Sequence, residues 1–91
     1  MINFHTKEMD ELFDTILKLE SIDECRNFFE DICTVKELQD ISQRLQVAKK
    51  LNSGKNYQEI TKETGASTAT ISRVNRCLSY GSGGYKSVLE K

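Results

Sequence analysis

Apolar residues recur along most of the chain at the three-to-four-residue spacing of amphipathic helices. The first such stripe, Met9–Leu17, predicts a helix over about residues 6–20. A second helix is expected to begin at Ser21, because a serine followed three positions later by Glu24 has the form of a capping box. The first third of the chain is therefore predicted to be two short helices.

A third helix is predicted from the same two signals. Thr34 and Glu37 form another capping box. The apolar residues that follow on one stripe are Leu38, Ile41, Leu45, Ala48 and Leu51. Gly54 then stands where a residue in the left-handed conformation would end the helix.

The remaining part of the chain predicts three more short helices. Asn56 with Glu59 forms a third capping box, and Ser67 caps a helix that runs to about Leu78. A glycine-rich break precedes a final helix around 85–90. The expected fold class is all-α, with six helices and no strand.

Residues 57–76 have the hydrophobic pattern of a helix-turn-helix. Ile60 precedes Gly65 by five positions, and Ile71 and Val74 follow it by six and nine. The glycine can take a turn conformation that is costly for other residues, and the three apolar side chains can then pack between the two helices. Two small residues are expected to allow a close crossing of the helices, Ala66 and Ala69.

The outward surface of the second helix in this motif is polar and free of acids. No carboxylate occurs from Gly65 to Gly84, although the chain has 14 acidic residues. Hydroxyl donors lie at the start of the helix and longer donors follow, a pattern suited to phosphates and base edges. The outward residues are Ser67, Thr68, Thr70, Ser72, Arg73, Asn75 and Arg76.

The charge distribution supports a polyanionic partner despite a net charge of −1. Residues 1–40 carry four basic and eleven acidic groups, whereas residues 41–91 carry nine basic and three acidic groups. Positive charge therefore gathers in the half that contains the helix-turn-helix. The alternative is that the acidic half simply pairs with the basic half.

Length and composition exclude several classes of protein and kinds of site. At 91 residues the chain is expected to be one domain. It has no apolar stretch of membrane-spanning length and no secretory signal, so a cytoplasmic protein without a membrane partner is predicted. Three cysteines without CxxC spacing argue against a disulfide framework or a zinc site. No phosphate loop, paired acids or metal cluster supports an enzyme, so no catalytic residue and no metal ligand is assigned.

The first three helices carry more large apolar residues than one short bundle of this size needs. Because most oligomers of soluble proteins are symmetric homodimers, we interpret the surplus as the contact surface of a second copy. A compact monomer with an ordinary core is the alternative.

The segment from about Thr34 to Leu78 resembles the tryptophan repressor family, in particular its branch of small TrpR-like proteins. The most specific part is ETGASTATISR, Glu63 to Arg73. The resemblance implies an intertwined all-helical homodimer with two projecting helix-turn-helix units. Carried over by position, one set of residues would face the bases and another the phosphates: Thr68, Ala69 and Thr70 for the bases, and Tyr57, Gln58, Thr61 and Ser72 for the phosphates.

The resemblance also implies a co-repressor site. Thr34, Arg44 and Arg73 match the three positions with which the family holds its amino-acid ligand. However, Val74 stands where the family has a glycine that admits the indole ring, and Cys77 stands where it has a serine. A β-branched side chain in that slot should block a flat ring, which disfavours tryptophan. Another small co-repressor, or no ligand and no cofactor at all, stays open.

Two functions from different classes follow. The first is a sequence-specific DNA-binding transcriptional regulator, a repressor by resemblance, that acts as a homodimer on double-stranded DNA. In it residues 1–53 form the dimerisation helices, 57–78 the helix-turn-helix and 85–91 the C-terminal helix. The alternative is a helical dimerisation or adaptor module that binds protein instead of DNA.

Overall fold

The computed structural model describes residues 3–91 of the chain. Within that range the backbone forms six helices and no strand, which confirms the predicted all-α class. The helices are α1 (Lys7–Ile16), α2 (Ile22–Ile32), α3 (Val35–Asn52), α4 (Tyr57–Thr64), α5 (Thr68–Tyr80) and α6 (Gly84–Leu89).

Three of the helices begin at the caps that the sequence predicts. The side chains of Ser21, Asn56 and Ser67 each accept a hydrogen bond from the backbone N–H three positions later, at 3.1, 2.9 and 3.1 Å respectively. Each bond satisfies a donor that has no partner inside the helix. Local sequence thus determines where α2, α4 and α5 start.

The predicted end of α1 is wrong, because the helix stops at Ile16 and does not reach residue 20. Lys18 and Leu19 instead donate backbone hydrogen bonds to carbonyls three residues back, which tightens the chain into turns. The Glu20 N–H donates to Glu24 Oε1 at 2.7 Å, so it serves the cap of α2. The apolar stripe of α1 outlasts the helix because the next capping box competes for the backbone.

The described residues divide into two compact units, one ending at Val35 and the other running from Lys36 to Lys91. In the first unit neither α1 nor α2 contains a buried residue. Both helices are amphipathic in sequence, yet several large apolar side chains in them or directly after them are exposed in the single chain: Leu12, Phe13, Leu17, Ile22 and Ile32.

The second unit contains the buried core of the described chain. It joins α3, α4 and α5 through side chains that are at most 1% exposed: Val47, Ala48, Ile60, Ala66, Ile71 and Val74. Tyr85 and Leu89 of α6 pack against this cluster. Burial of Ile60, Ile71 and Val74 confirms the packing predicted for the helix-turn-helix. The expectation for Ala69 is wrong, because this residue is exposed and only Ala66 lies in the core.

Two glycines reverse the chain in this unit. Gly54 ends α3 with φ of 90°, and Gly65 ends α4 with φ of 74°. Both angles lie in the left-handed region, which costs a residue with a Cβ about 1–2 kcal/mol. The predictions for these two positions are confirmed.

Candidate nucleic-acid interface

The helix-turn-helix unit, residues 57–80, consists of α4, a three-residue turn and α5. Ile60 faces inward from α4, and Ile71 and Val74 face inward from α5, so the two helices share one apolar contact. Val47 and Ala48 of α3 lie on the other side of the same cluster. This packing fixes which side of α5 remains exposed.

Hydrogen bonds at the turn hold α4 in place against α3. The Thr64 hydroxyl donates to the Ile60 carbonyl at 2.7 Å and accepts from the Ala66 N–H at 3.1 Å. Gln43 of α3 donates from Nε2 to the Thr64 carbonyl at 3.2 Å. The carbonyl at the end of α4 is thus bonded to a side chain 21 positions earlier in the sequence.

An ion-pair cluster joins the same elements at a second place. Glu63 accepts from Lys50 Nζ at 2.6 Å and from Lys55 Nζ at 2.7 and 2.8 Å. The hydrogen bond from Lys50, followed by that from Lys55, lowers the pKa of Glu63 to about 2. The hydrogen bond with Glu63 raises the pKa of Lys55 in turn. The charged forms of Glu63 and Lys55 are therefore both favoured at neutral pH.

The predicted base-facing residues lie at the exposed start of α5. Thr68 and Ala69 are exposed, whereas Thr70 is half-buried. The Ser67 hydroxyl donates to Thr70 Oγ1 at 3.1 Å while it caps the helix, so these two hydroxyls are already linked. Further along the helix Ser72 is half-buried.

Two arginines extend the polar surface of α5 beyond its first turns. Arg73 and Arg76 are both exposed, and neither takes part in any ion pair formed among residues 3–91. Their guanidinium groups are therefore available to an external anion.

An open surface depression forms where the start of α5 meets α4. Its lining contains four of the predicted DNA-binding residues, Tyr57, Gln58, Thr61 and Thr68. The fifth lining residue is Lys62, which the sequence analysis did not single out. Positions 57, 58, 61 and 62 share one face of a helix by spacing alone, and that signal could have identified the lysine.

The residues proposed for a co-repressor are placed in different settings. Thr34 is exposed in the first unit, whereas Arg44 is half-buried on α3 and Arg73 is exposed on α5, both in the second unit. Val74 is 1% exposed and belongs to the core of the second unit, and Cys77 is exposed.

The described part of the chain also bears on metal binding and membrane insertion. No group of three or more histidine, cysteine or acidic side chains could hold a metal ion. None of the helices in residues 3–91 is long and apolar enough to cross a membrane.

The fold and this polar surface define a helix-turn-helix protein. The profile of the Trp repressor protein family matches residues 7–91, so nearly the whole chain is covered. The chain belongs to the Trp repressor family, and this membership indicates a helix-turn-helix transcription regulator.

Relatives with known sequences or structures agree with this assignment. The uncharacterised Bacillus subtilis protein YerC is 53% identical over 85 residues, which cover 93% of this chain and 82% of YerC. A TrpR-like protein from Eubacterium eligens has 50% identity and a TM-score of 0.92, with 96% of this chain and 90% of that one covered. A candidate Trp repressor from Staphylococcus aureus has 49% identity and a TM-score of 0.93, with 99% and 93% covered.

Proposed function

We propose that the protein is a cytoplasmic, sequence-specific DNA-binding regulator that represses transcription as a homodimer. The single observation that carries this proposal is the exposed surface formed by the depression and the start of α5. It presents hydroxyl, amide and cationic donors, and α5 itself contains no acidic residue. Such a surface suits the acceptor-rich major groove and the phosphates beside it.

In this proposal different residues have different roles. Thr68, Ala69 and Thr70 meet base edges, because they stand at the N-terminal end of α5 that would enter the groove first. The other members of the interface contact phosphates: Tyr57, Gln58, Thr61, Ser67, Ser72, Arg73 and Arg76.

The homodimer is supported by the apolar surface of α1, α2 and the first half of α3. Leu17 and Val35 are 80% and 74% exposed in the single chain, and Ile41 and Leu45 on α3 are also exposed. Two amphipathic helices without a buried residue gain little stability alone, since helices of this length depend on burial of their apolar face. A second copy with the same helices offers a complementary apolar surface.

We assign residues 1–53 to dimerisation, residues 57–78 to DNA binding and residues 85–91 to a helix that supports the core. With two helix-turn-helix units in one dimer, the operator should have two-fold symmetry and half-sites one helical turn apart, about 34–36 Å.

We further propose that tryptophan is not the co-repressor. The burial of Val74 against Ile60 and Ile71 supports this, because its two methyl groups occupy the space beside the α5 backbone that a flat ring would need. A different small ligand, for which the family resemblance suggests Thr34, Arg44 and Arg73, and DNA binding without any ligand are both consistent with the packed core.

The proposed function is tested by the salt dependence of DNA binding. The protein is titrated against a duplex of random sequence and against fragments that it selects from a genomic pool. Phosphate contacts make log K fall with log salt concentration by about 0.9 per contact. An adaptor module that binds protein through apolar groups would show little affinity for DNA and no such slope, and that result would favour the alternative.

The dimer is tested separately by sedimentation equilibrium at micromolar concentration. The expected mass is twice the 10.4 kDa of one chain. A mass of one chain would contradict the dimer and would remove the spacing that two half-sites require.

A further inference from the structure

The lysines around the helix-turn-helix unit fall into two groups that differ in their partners. Lys50 and Lys55 are bonded to Glu63, at 2.6 Å and at 2.7 and 2.8 Å. Lys62 lines the surface depression and enters no ion pair or hydrogen bond with any residue between 3 and 91. The same side-chain type thus occurs in two electrostatic states within one unit.

The bonded lysines are poorly placed to contact DNA phosphates. Glu63 brings the formal charge of the three groups to +1, and its lowered pKa keeps it negatively charged at neutral pH. A phosphate would have to displace this carboxylate from ammonium groups that it already holds at hydrogen-bond distance. Their contacts connect the end of α3 and the following loop to α4, which is a structural role.

Lys62 has the opposite properties. Lys62 is exposed, and the other four residues that line the depression are uncharged donors with no carboxylate among them. Glu59 precedes it by one helical turn but forms no ion pair with it at 4 Å or less in the described chain. A free ammonium beside hydroxyl and amide groups is the donor set that a phosphodiester prefers.

We propose that Lys62 is the cation that contacts a DNA phosphate in this depression, and that Lys50 and Lys55 position α4 without contacting DNA. The proposal rests on the DNA-binding function proposed above and adds a residue that the family resemblance did not supply. It also assigns one role to each lysine, phosphate contact to Lys62 and structural support to Lys50 and Lys55.

The test uses the full-length protein and a duplex of random sequence, because phosphate contacts do not depend on base sequence. Binding is measured by fluorescence anisotropy between 0.05 and 0.2 M KCl, a range chosen for the assay at roughly physiological salt and below. The variants are Lys62→Gln, Lys62→Arg and, as a control with the same loss of charge, Lys55→Gln. Thermal melting of each variant is recorded in parallel.

Lys62→Gln should lower the salt slope by about 0.9 for each subunit that contacts the duplex. Over the fourfold change in salt this equals about a 3.5-fold smaller loss of affinity per subunit. Its melting temperature should not change, and Lys62→Arg should restore the slope. Lys55→Gln should keep most of the slope but melt at a lower temperature than the wild type.

Three results would overturn the proposal in distinguishable ways. If the wild type does not bind the duplex at any salt concentration, the proposed function fails and the role of Lys62 fails with it. If the wild type binds and Lys62→Gln keeps the full slope, only the assignment of Lys62 is wrong. If Lys55→Gln lowers the slope as much as Lys62→Gln, the two groups of lysines do not differ and the division between them is wrong.

Discussion

Replacing Val74 by alanine should destabilise the protein strongly, because this side chain belongs to the buried cluster that joins α3, α4 and α5. Val74 is 1% exposed and packs in one cluster with Val47, Ile60 and Ile71. The substitution removes two buried methyl groups, each worth about 0.8 kcal/mol of transfer free energy. A residual cavity adds to this, so the free energy of unfolding should fall by about 2–3 kcal/mol.

This loss is large for a protein of 91 residues, whose total stability is expected to be about 5–14 kcal/mol. The assay is urea denaturation at one fixed protein concentration, since the stability of the proposed dimer would depend on concentration. With a slope of about 1–3 kcal/mol per molar urea, the midpoint should move down by about 1 M or more.

The matched control is the same substitution at Val88, which is 61% exposed on α6. Val88→Ala should change the free energy of unfolding by less than about 0.5 kcal/mol. Equal midpoints for Val74→Ala and Val88→Ala would show that Val74 is not part of a packed core, and the argument against tryptophan would lose its physical basis.

Four further outcomes are expected. Glu63→Gln should lower the melting temperature at pH 7. Because the pKa of Glu63 is depressed in the folded protein, its stabilisation is complete above the ordinary pKa of a glutamate and is lost as pH falls toward 2, so the difference from the wild type should vanish between about pH 4.5 and 2. The control is Glu30→Gln, which replaces an exposed carboxylate and should show no such trend. Gly65→Ala should cost about 1–2 kcal/mol in thermal unfolding because its φ is 74°, and Gly65→Asn should cost less; equal losses would refute the left-handed turn as the cause. In competition binding Thr70→Ala should reduce discrimination between operator and random DNA by about 1–3 kcal/mol, while Arg73→Ala should weaken both alike; identical behaviour would mean that α5 docks differently. Calorimetry with millimolar tryptophan should give no saturable heat, and a micromolar affinity would restore tryptophan as the co-repressor.

Local signals were sufficient to predict most of the secondary structure. The caps at Ser21, Asn56 and Ser67 and the glycine at position 65 each act within three residues of themselves, so their effect is visible in the sequence. The end of α1 was missed because Glu24 reaches back to the Glu20 N–H and withdraws it from the helix.

Packing between distant elements was harder to predict. The stripe predicted on α3 included Ala48 but not Val47, although both are fully buried. Helix α3 carries apolar residues on more than one side, and periodicity alone does not show which side faces α4 and α5. Ile41 on the predicted stripe is exposed in the single chain, as expected if it meets a second copy.

In the candidate interface, too, local features could be predicted from the sequence and contacts between distant residues could not. The spacing around Gly65 was enough to predict the helix-turn-helix core, and the hydroxyl-rich start of α5 was visible as a run without acids. Helical spacing could place Lys62 on the face of Tyr57, Gln58 and Thr61. The pairing of Lys50 and Lys55 with Glu63 spans 13 and 8 positions, and no local pattern in the sequence reveals it. Only their three-dimensional partners separate a cation that supports the fold from one that is free.

Selection of bound fragments from a pool of random duplexes tests the central claim most directly. A homodimeric DNA-binding regulator should enrich one sequence with two-fold symmetry, its half-sites centred about one helical turn apart. The enriched sequence should bind at least about 10³-fold more tightly than random DNA at physiological salt. A pool that stays unchanged after repeated rounds, with the protein folded and dimeric, would contradict sequence-specific DNA binding and leave the adaptor function in its place.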